Sequence, residues 1–412
     1  MDILLNVLRD TKINEEITIS GSKSESNRLL ILQNLFPEIS IENLSDSDDS
    51  IHMQHALSTK DEVVDIGHAG TAMRFLTAYL AATTQKEITL TGSPSMCQRP
   101  IGPLVAALRN MGAAITYTGA QGYPPLKIAP AALSGNVTID ASVSSQYISA
   151  LALIGPYLKK GLTLTLTGNI TSKPYIDMTL SLLSQIGAKS TFKGQDIRIL
   201  PLTKSKNIKI AVEGDWSSAS YFYSLVALSK KRCVHLSSFK TNSLQADAAL
   251  ASLYEPLGVT TTAIDSQTIA LSKHDTPLPA GFKADLTPSP DLAQTIAVTC
   301  FGLGIACHLT GLHTLKIKET DRLVALQNEL TKLGAVVHIT QDTLLLESHE
   351  IAFENRTQDI EIATYDDHRM AMAFGVLAEL FCVTIQDPMV VTKSYPAFYS
   401  DLKKMGISAD FC

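Results

Sequence analysis

The chain has 412 residues, of which 34 are basic, 40 are acidic and 45% are hydrophobic. The length predicts two or three domains, and the formal net charge of -6 argues against nucleic acid as the main partner, because nucleic-acid-binding proteins usually carry a basic surface. No apolar run approaches the roughly 20 residues of a transmembrane helix, and the acidic N-terminal segment lacks the pattern of a secretory signal, so we expect a cytoplasmic protein that binds no membrane.

The cysteines and histidines give no metal-site pattern. Six cysteines are scattered without a Cys-x-x-Cys pair, so neither a zinc site nor a disulfide framework is predicted. His52 and His55 are three residues apart, but the sequence offers no evident third ligand, and a solvated helix face explains the pair better. We therefore expect no metal ion.

Residues 20–28, SGSKSESNR, predict the start of a helix with Lys23 among serines. A nucleotide-binding phosphate loop needs a second glycine directly before its lysine, and only Gly21 is present here. The role of Lys23 therefore has to be inferred from the rest of the chain.

A short alternating strand with a small or polar turn recurs along the chain. The five copies are ITLTGS at 88, LTLTGN at 164, VHLSSF at 234, CHLTGL at 307 and VTIQDP at 383. An amphipathic helical stretch follows each copy and ends at a glycine, where a left-handed C-cap is expected. These glycines are Gly112, Gly187, Gly258, Gly334 and Gly406, spaced by 75, 71, 76 and 72 residues. The nearly constant period indicates a repeated unit.

A second helix class keeps the same period. These helices, such as YISALALIGPYL, are apolar all round and are predicted to be buried. They open at Gly70-Thr71, Ser144-Ser145, Ser217-Ser218, Pro290-Asp291 and Asp366-Asp367. Each unit is thus a buried helix, a strand, an amphipathic helix and a strand pair, and residues 39–57 supply a shortened first copy. Six copies predict an α/β fold of two halves, although a linear solenoid is a less favoured alternative.

Basic residues cluster at predicted helix starts, where unpaired N–H groups and the helix dipole already favour an anion. They are Lys23, Arg28, Arg74, Arg99, Lys318, Arg322, Arg369 and Lys393. Glu319 lies between Lys318 and Arg322 and is a candidate acid or base with a shifted pKa. Asp321 is interpreted as a first-turn residue that stabilises a helix N-terminus, His368 as structural, and Asp291 as a cap from its position alone.

Eight segments in order carry a resemblance. They are SGSKSESNR, GHAGTAMR, QRPIG, VSSQY, TSKPYID, EGDWSSASYF, IKETDRL and YDDHRMAMA. Together they resemble the EPSP synthase family of enolpyruvyl transferases from about residue 20 to the C-terminus. The resemblance implies a two-domain inside-out α/β barrel with six α/β units, three per domain. Residues 1–20 with 213–412 would form one domain and residues 21–212 the other, with the active site in the cleft between them.

The resemblance also implies the reaction. The family transfers the enolpyruvyl group of phosphoenolpyruvate to the 5-hydroxyl of shikimate 3-phosphate, releases phosphate and needs no cofactor; this is a step of aromatic amino-acid biosynthesis. A monomer with small-molecule substrates is expected.

The family's functional residues map onto this sequence. Asp291 would accept the hydroxyl proton, Glu319 would handle protons at the methylene carbon, and Lys23 would reach both substrates. The shikimate 3-phosphate residues are Lys23, Ser24, Arg28, Ser144, Ser145, Gln146, Ser172, Asp291 and Lys318. The phosphoenolpyruvate residues are Lys23, Gly70, Arg99, Gln146, Arg322, Arg369 and Lys393.

The sequence departs from the family pattern at four places. The segment between His55 and Gly67 is short, which predicts the loss of most of one strand pair. His68 replaces a usual asparagine, and Phe75 replaces a usual proline. We therefore make no prediction about inhibitor sensitivity near Gly70. Thr314 replaces an asparagine that usually helps to hold the shikimate phosphate, and we carry no role over to it.

Two alternatives stay open. The sister transferase that acts on UDP-N-acetylglucosamine usually has a cysteine in a glycine-rich loop several residues before its Arg-Pro pair, whereas Cys97 lies only two before Arg99 and no Gly-Gly-Cys is present. A catalytically inactive anion-binding protein is the other alternative. The combination of Lys23, Asp291, Glu319 and Arg369 argues against it.

Overall fold

The computed structural model describes residues 1–8, 13–229, 232–240, 242–274, 276–348 and 360–412. Two compact units make up the chain. The terminal unit comprises Met1–Ser20 and Glu213–Cys412, and the inserted unit comprises Gly21–Val212. Among the described residues, no helix combines the length and the apolar character that crossing a membrane requires.

Most of the strands are short. They are β1 Asp2–Val7, β2 Ile13–Thr18, β3 Ile39–Glu42, β4 Val63–Asp65, β5 Ile88–Thr91, β6 Ala114–Tyr117, β7 Leu126–Ala129, β8 Asn136–Asp140, β9 Leu162–Thr167, β10 Ser190–Lys193, β11 Asp196–Ile199, β12 Ile208–Ala211, β13 Arg232–Ser237, β14 Val259–Ala263, β15 Thr268–Lys273, β16 Gly281–Asp285, β17 Ala306–Thr310, β18 Val337–Ile339, β19 Leu344–Leu346, β20 Ile360–Ile362, β21 Val383–Gln386 and β22 Ile407–Phe411.

The α-helices alternate with these strands, so the α/β class predicted from the sequence is confirmed. They are α1 Lys23–Leu35, α2 Asp48–Ser58, α3 Gly70–Thr83, α4 Gly102–Asn110, α5 Ser145–Ile154, α6 Lys173–Gln185, α7 Trp216–Leu228, α8 Leu250–Tyr254, α9 Ala293–Leu303, α10 Arg322–Lys332, α11 His368–Gly375 and α12 Phe398–Lys404.

The inserted unit has two four-stranded sheets, with strand orders β4-β5-β7-β6 and β10-β11-β9-β8. In each sheet the strand before a buried helix pairs in parallel with the strand after it, and a hairpin completes the antiparallel side. A third sheet contains only β3 and β12, paired in parallel. Residues 59–62 lead directly from α2 to β4, so the strand pair that the short segment was predicted to lose is absent here.

The terminal unit has three four-stranded sheets, with orders β14-β15-β13-β2, β16-β17-β19-β18 and β20-β21-β1-β22. The first strands of the chain complete two of them. Strand β2 pairs in parallel with β13, and β1 lies between β21 and β22. The residues before the inserted unit therefore belong to the terminal unit through backbone hydrogen bonds.

Helices α7, α9 and α11 form the interior of the terminal unit, and α7 buries every residue except Ser217. Their hydroxyls hydrogen bond to one another inside the core, because buried polar groups need partners. Ser220 Oγ lies 3.0 Å from Thr295 Oγ1, and Ser224 Oγ lies 2.7 Å from Thr299 Oγ1. These pairs join α7 to α9.

The predicted glycine caps are confirmed. All five glycines at the ends of the amphipathic stretches have φ between 73° and 107°, in the left-handed region that costs glycine little. The strand that precedes each buried helix, for example β8 or β16, was not predicted. These strands have at most six residues, and a short alternating run gives only a weak periodicity signal.

Candidate functional site

Helix α10 places a buried arginine at its first position. Asp321 was expected in the first turn and is instead the N-cap, with Oδ1 accepting from the backbone N–H groups of Leu323 at 3.1 Å and Val324 at 3.3 Å. Arg322 follows the cap, and its side chain is only 2% exposed. The cap therefore fixes the position from which the Arg322 side chain extends into the interior of the terminal unit.

The Arg322 guanidinium binds three carboxylates from three segments of the chain. Its Nε donates to Asp367 Oδ2 at 2.6 Å, and its two terminal nitrogens donate to Asp291 Oδ1 at 2.9 Å and Glu319 Oε2 at 2.8 Å. A planar guanidinium suits such multiple, directed contacts. Arg322 thus holds both candidate proton-transfer residues in fixed positions.

Asp291 is surrounded by further cations. It lies in a 3₁₀ turn, Pro290–Leu292, directly before α9. Arg369, on α11, donates to Asp291 Oδ2 at 3.1 Å and to the Asp291 carbonyl at 3.2 Å. Lys318 Nζ lies 3.5 Å from Asp291 Oδ1. Three cationic side chains, those of Arg322, Arg369 and Lys318, therefore contact one carboxylate.

Glu319 is held between two cations. Lys393, at the end of the 3₁₀ turn Pro388–Lys393, places Nζ 2.5 Å from Glu319 Oε1. The other carboxylate oxygen accepts from Arg322. All the terminal-unit residues predicted from the sequence therefore lie in one connected cluster.

The charges around Asp291 determine its protonation. Burial raises the pKa of Asp291, but the combined charges of Arg369, Lys318 and Arg322 outweigh burial and hold this pKa well below its ordinary value. Burial lowers the pKa of Lys318, and Asp291 opposes that shift. In the absence of ligand, Asp291 is an ionised hydrogen-bond acceptor. An anionic ligand that neutralised its cations would make it a stronger base.

Three cluster residues were not predicted from the sequence as site residues. Asp367 caps α11 by accepting from the Arg369 N–H at 2.9 Å while it binds Arg322. Ser217 Oγ accepts from Arg369 at 3.3 Å and donates to Asp247 Oδ2. Burial, and then the charge of Asp291, raise the pKa of Asp247 to about 6. The sequence marked Asp367 and Ser217 only as helix starts, and nothing singled out Asp247.

In the inserted unit, Lys23 is the first residue of α1. Its Nζ lies 3.3 Å from Asp49 Oδ2, and the Asp49 side chain is only 3% exposed. Ser24 follows, half-buried, and its carbonyl accepts from Arg28 at 2.7 Å. The first turn of α1 thus presents Lys23 and Ser24 at its partly exposed end.

Arg28 is buried rather than displayed at the helix start. Its Nε donates to Thr179 Oγ1 at 2.8 Å, and a terminal nitrogen donates to Ser149 Oγ at 3.1 Å and the Tyr175 carbonyl at 3.3 Å. Burial lowers its pKa to about 10, although Tyr175 and Glu25 oppose the shift. The guanidinium joins α1 to α5 and α6.

The start of α5 carries the predicted serines. Ser144 is the N-cap and accepts from the Gln146 N–H at 3.2 Å, and Ser145 is buried. Gln146 Nε2 donates to Thr71 Oγ1 at 3.3 Å. Ser172 precedes α6 with φ at 49°, a left-handed conformation that is uncommon for residues other than glycine.

Two arginines flank Gly70 at the start of α3. Arg74 donates to the Gly70 carbonyl at 2.7 Å, and a Cβ built on Gly70 would lie 2.6 Å from Arg74 Nη1 and 2.9 Å from Arg99 Nη1. Arg99 has an extended backbone after a 3₁₀ turn. Helix α4 begins at Gly102, two residues after Pro100.

Four other residues discussed from the sequence have defined places. The ring centroids of His52 and His68 lie 5.8 Å apart in a T-shaped arrangement with an interplanar angle of 80°. Thr314 lies in the 3₁₀ turn before Lys318, and its buried Oγ1 has no hydrogen-bond partner among the described residues. Cys97 Sγ donates to the Gly92 carbonyl at 3.6 Å. Among the described residues, no group of three or more His, Cys, Asp or Glu residues could hold a metal ion.

Comparisons with known proteins agree with one another. The family model "EPSP synthase (3-phosphoshikimate 1-carboxyvinyltransferase)" matches residues 55–402. A 3-phosphoshikimate 1-carboxyvinyltransferase of Bacteroides fragilis is 44% identical over 96% of both chains. The protein of the same name from Mannheimia haemolytica is 36% identical over 96% of this chain and 98% of its own. EPSP synthase of Acinetobacter baumannii shares the fold, with a TM-score of 0.80 over the full length of both chains at 21% identity.

Proposed function

Because the chain belongs to the EPSP synthase family, we propose that its two groups of site residues bind the two anionic substrates of a 3-phosphoshikimate 1-carboxyvinyltransferase. The enzyme transfers the enolpyruvyl group of phosphoenolpyruvate to the 5-hydroxyl of shikimate 3-phosphate and releases phosphate. The observation that supports the residue assignment most strongly is the terminal-unit cluster, in which four cations surround Asp291 and Glu319.

Phosphoenolpyruvate carries a carboxylate and a phosphate, and both suit the fork of a guanidinium. Arg322, Arg369 and Lys393 bind it from the terminal unit. Lys23, Gly70, Arg99 and Gln146 bind it from the inserted unit, where the first turn of α3 lies beside the Arg99 guanidinium. Each of these cations is partly or fully desolvated, which strengthens its interaction with an anion.

Shikimate 3-phosphate binds chiefly in the inserted unit. The groups that hold it are Lys23, Ser24, Arg28, Ser144, Ser145, Gln146 and Ser172, joined by Lys318 and Asp291 of the terminal unit. The hydroxyls and backbone N–H groups at the start of α5 suit a phosphate. Arg28 also fixes the first turn of α1, because it donates to the Ser24 carbonyl.

The reaction needs three proton transfers. Asp291 takes the proton of the 5-hydroxyl as that oxygen bonds to C2 of phosphoenolpyruvate, while Glu319 delivers a proton to C3, giving a tetrahedral ketal. The bond from C2 to the phosphate oxygen then breaks, and Glu319 takes a proton back from the methyl group. Arg322 and Lys393 hold Glu319 in place, and the fixed cations stabilise the charge on the departing phosphate.

The proposal also includes the internal repeats of the fold. In four sheets the strand before a buried helix is parallel to the strand after that helix. In the other two the partners are exchanged: β2, before α1, is parallel to β13, after α7, and β12, before α7, is parallel to β3, after α1. Five of the sheets add an antiparallel strand pair, which the β3-β12 sheet lacks. We interpret them as six related α/β units, three in each compact unit, of an inside-out barrel. The shared strand order supports this interpretation.

Phosphate release tests the proposal. The unmodified enzyme is expected to release phosphate from phosphoenolpyruvate with shikimate 3-phosphate and not with UDP-N-acetylglucosamine. Asp291→Asn is expected to abolish release, whereas Cys97→Ala, which changes a residue without a proposed role, is expected to retain it. Release that required UDP-N-acetylglucosamine, or loss of activity in Cys97→Ala, would contradict the assignment.

A further inference from the structure

The loop that leads into α11 has an unusual backbone. Tyr365 and Asp366 are consecutive, and each has φ at 55° in the left-handed region. Residues other than glycine rarely adopt this conformation, and for a bulky side chain such as that of Tyr365 it is a true outlier. The next residue, Asp367, binds Arg322 and caps α11 in front of Arg369. The strained segment therefore directly precedes Asp367, the residue that contacts both Arg322 and Arg369, which are proposed to bind phosphoenolpyruvate.

Helix α10 contacts this loop at two points two turns apart. At the start of the helix, Arg322 binds both oxygens of Asp367, at 2.6 Å and 3.3 Å. Farther along, Glu329 Oε1 accepts from the Tyr365 hydroxyl at 2.6 Å, and Glu329 Oε2 accepts from the Ala363 N–H at 3.3 Å. The loop is thus tied to one rigid helix on both sides of its strained residues.

The Glu329 carboxylate lies in an unusual environment for an acidic side chain. It is fully buried, and it also pairs with Lys332. It contacts none of the residues assigned to substrate. A buried carboxylate is costly unless it is paired and hydrogen bonded, and two of its partners here belong to the loop. Its position is better explained by its effect on the loop than by packing.

A strained backbone conformation persists only where the surrounding contacts determine it. Without the contact to Glu329, Tyr365 could relax toward the ordinary right-handed or extended regions. Such a rotation would displace Asp367, two residues away. Arg322 would then lose its shortest contact, and Arg369 would lose the cap that fixes the start of its helix.

We propose that Glu329 is a positioning residue, which through Tyr365 keeps the loop 363–367 in its strained conformation and so aligns Arg322 and Arg369 for phosphoenolpyruvate. The inference rests on the proposed function, since it concerns the donor side of that site. It assigns no direct substrate contact to Glu329 or Tyr365.

The test begins with Tyr365→Phe, which removes only the hydroxyl. Loss of a hydrogen bond to a charged group typically costs enough for an effect of about tenfold or more. We expect KM for phosphoenolpyruvate to rise about tenfold, with KM for shikimate 3-phosphate changed less than about twofold. Tyr399→Phe is the matched control, because the buried Tyr399 hydroxyl has no hydrogen-bond partner among the described residues.

A second substitution tests the role of strain. Asp366 is exposed, and glycine adopts positive φ without a steric cost. Adding Asp366→Gly to Tyr365→Phe is therefore expected to restore most of the lost affinity for phosphoenolpyruvate. A residue with a merely structural role would not be rescued in this way.

The outcomes separate the two proposals. If the unmodified enzyme releases no phosphate from its two substrates, the proposed function and the positioning role both fail. If it is active but Tyr365→Phe behaves like Tyr399→Phe, or if both KM values rise together, or if Asp366→Gly gives no rescue, only the positioning role of Glu329 is overturned.

Discussion

Replacing Arg322 with methionine should destabilise the terminal unit mainly at neutral pH. The change removes the guanidinium that binds Asp291, Glu319 and Asp367 together. Asp291 keeps Arg369 and Lys318, and Glu319 keeps Lys393, so the largest loss falls on Asp367, whose side chain is fully buried.

The magnitude follows from that single uncompensated charge. Breaking a buried ion pair by removing one partner costs about 3–5 kcal/mol. For a domain of about 150–250 residues, each kcal/mol lowers the melting temperature by about 2–4 °C. The expected decrease for Arg322→Met is therefore roughly 6–20 °C near neutral pH.

The pKa of Asp291 determines how the destabilisation caused by Arg322→Met changes with pH. Pairing with cations holds the pKa of Asp291 well below its ordinary value, against the effect of burial. Stability from a depressed carboxylate pKa is present above the unfolded-state value and is lost as pH falls through the folded-state value. The deficit of Arg322→Met relative to the unmodified protein should thus be nearly constant above about pH 5 and shrink as pH falls below that value.

Thermal unfolding followed by circular dichroism measures both effects. Lys283→Met is the control, because Lys283 is exposed on β16 in the same unit. If Arg322→Met melted within about 2 °C of this control near neutral pH, less than the shift for 1 kcal/mol, the assignment of Arg322 as the cation that holds the cluster together would be refuted.

Three further predictions concern the inserted unit and the residues around the cluster. Lys23→Met is expected to lower kcat by several orders of magnitude with an unchanged far-ultraviolet circular dichroism spectrum, because a cation shared by both substrates also acts in the transition state; near-normal kcat would contradict this. Gly70→Ala places a Cβ 2.6 Å from Arg74 Nη1 and 2.9 Å from Arg99 Nη1, and the overpacking should raise KM for phosphoenolpyruvate about tenfold but not KM for shikimate 3-phosphate. Burial, and then the charge of Asp291, raise the pKa of Asp247 to about 6, so its stabilising protonated form is lost as pH rises. The melting temperature of Asp247→Asn should therefore increase relative to the unmodified protein between about pH 4 and about pH 7, and parallel pH profiles would argue against the shifted pKa.

The sequence predicted features that depend on local chemistry. The glycine caps and the place of Asp321 at a helix N-terminus follow from backbone preferences that act within one helix turn. The fully apolar helices were recognisable as buried because no face of them is polar. The cations at helix starts were identified because their positions conflicted with the helix dipole.

Features that depend on distant contacts were not predictable in the same way. Strand β1 pairs with β21 and β22, which lie more than 370 residues later in the chain. Arg28 was counted among the cations at a predicted helix start, but it is the sixth residue of α1 and is buried by side chains from α5 and α6, which its own segment does not reveal. Asp247 joins the cluster through Ser217, which precedes it by 30 residues. In each case a neighbour remote in sequence determines the environment.

The enolpyruvyl transfer itself can be observed directly by NMR. Mixing the enzyme with phosphoenolpyruvate and shikimate 3-phosphate should produce inorganic phosphate and an enol ether at the 5-oxygen of shikimate 3-phosphate in equal amounts. Glu319→Gln should produce neither, while calorimetry still detects binding of shikimate 3-phosphate. Phosphate formed without the enol ether, or an enol ether formed at normal rate by Glu319→Gln, would contradict the assignment of this site to carboxyvinyl transfer.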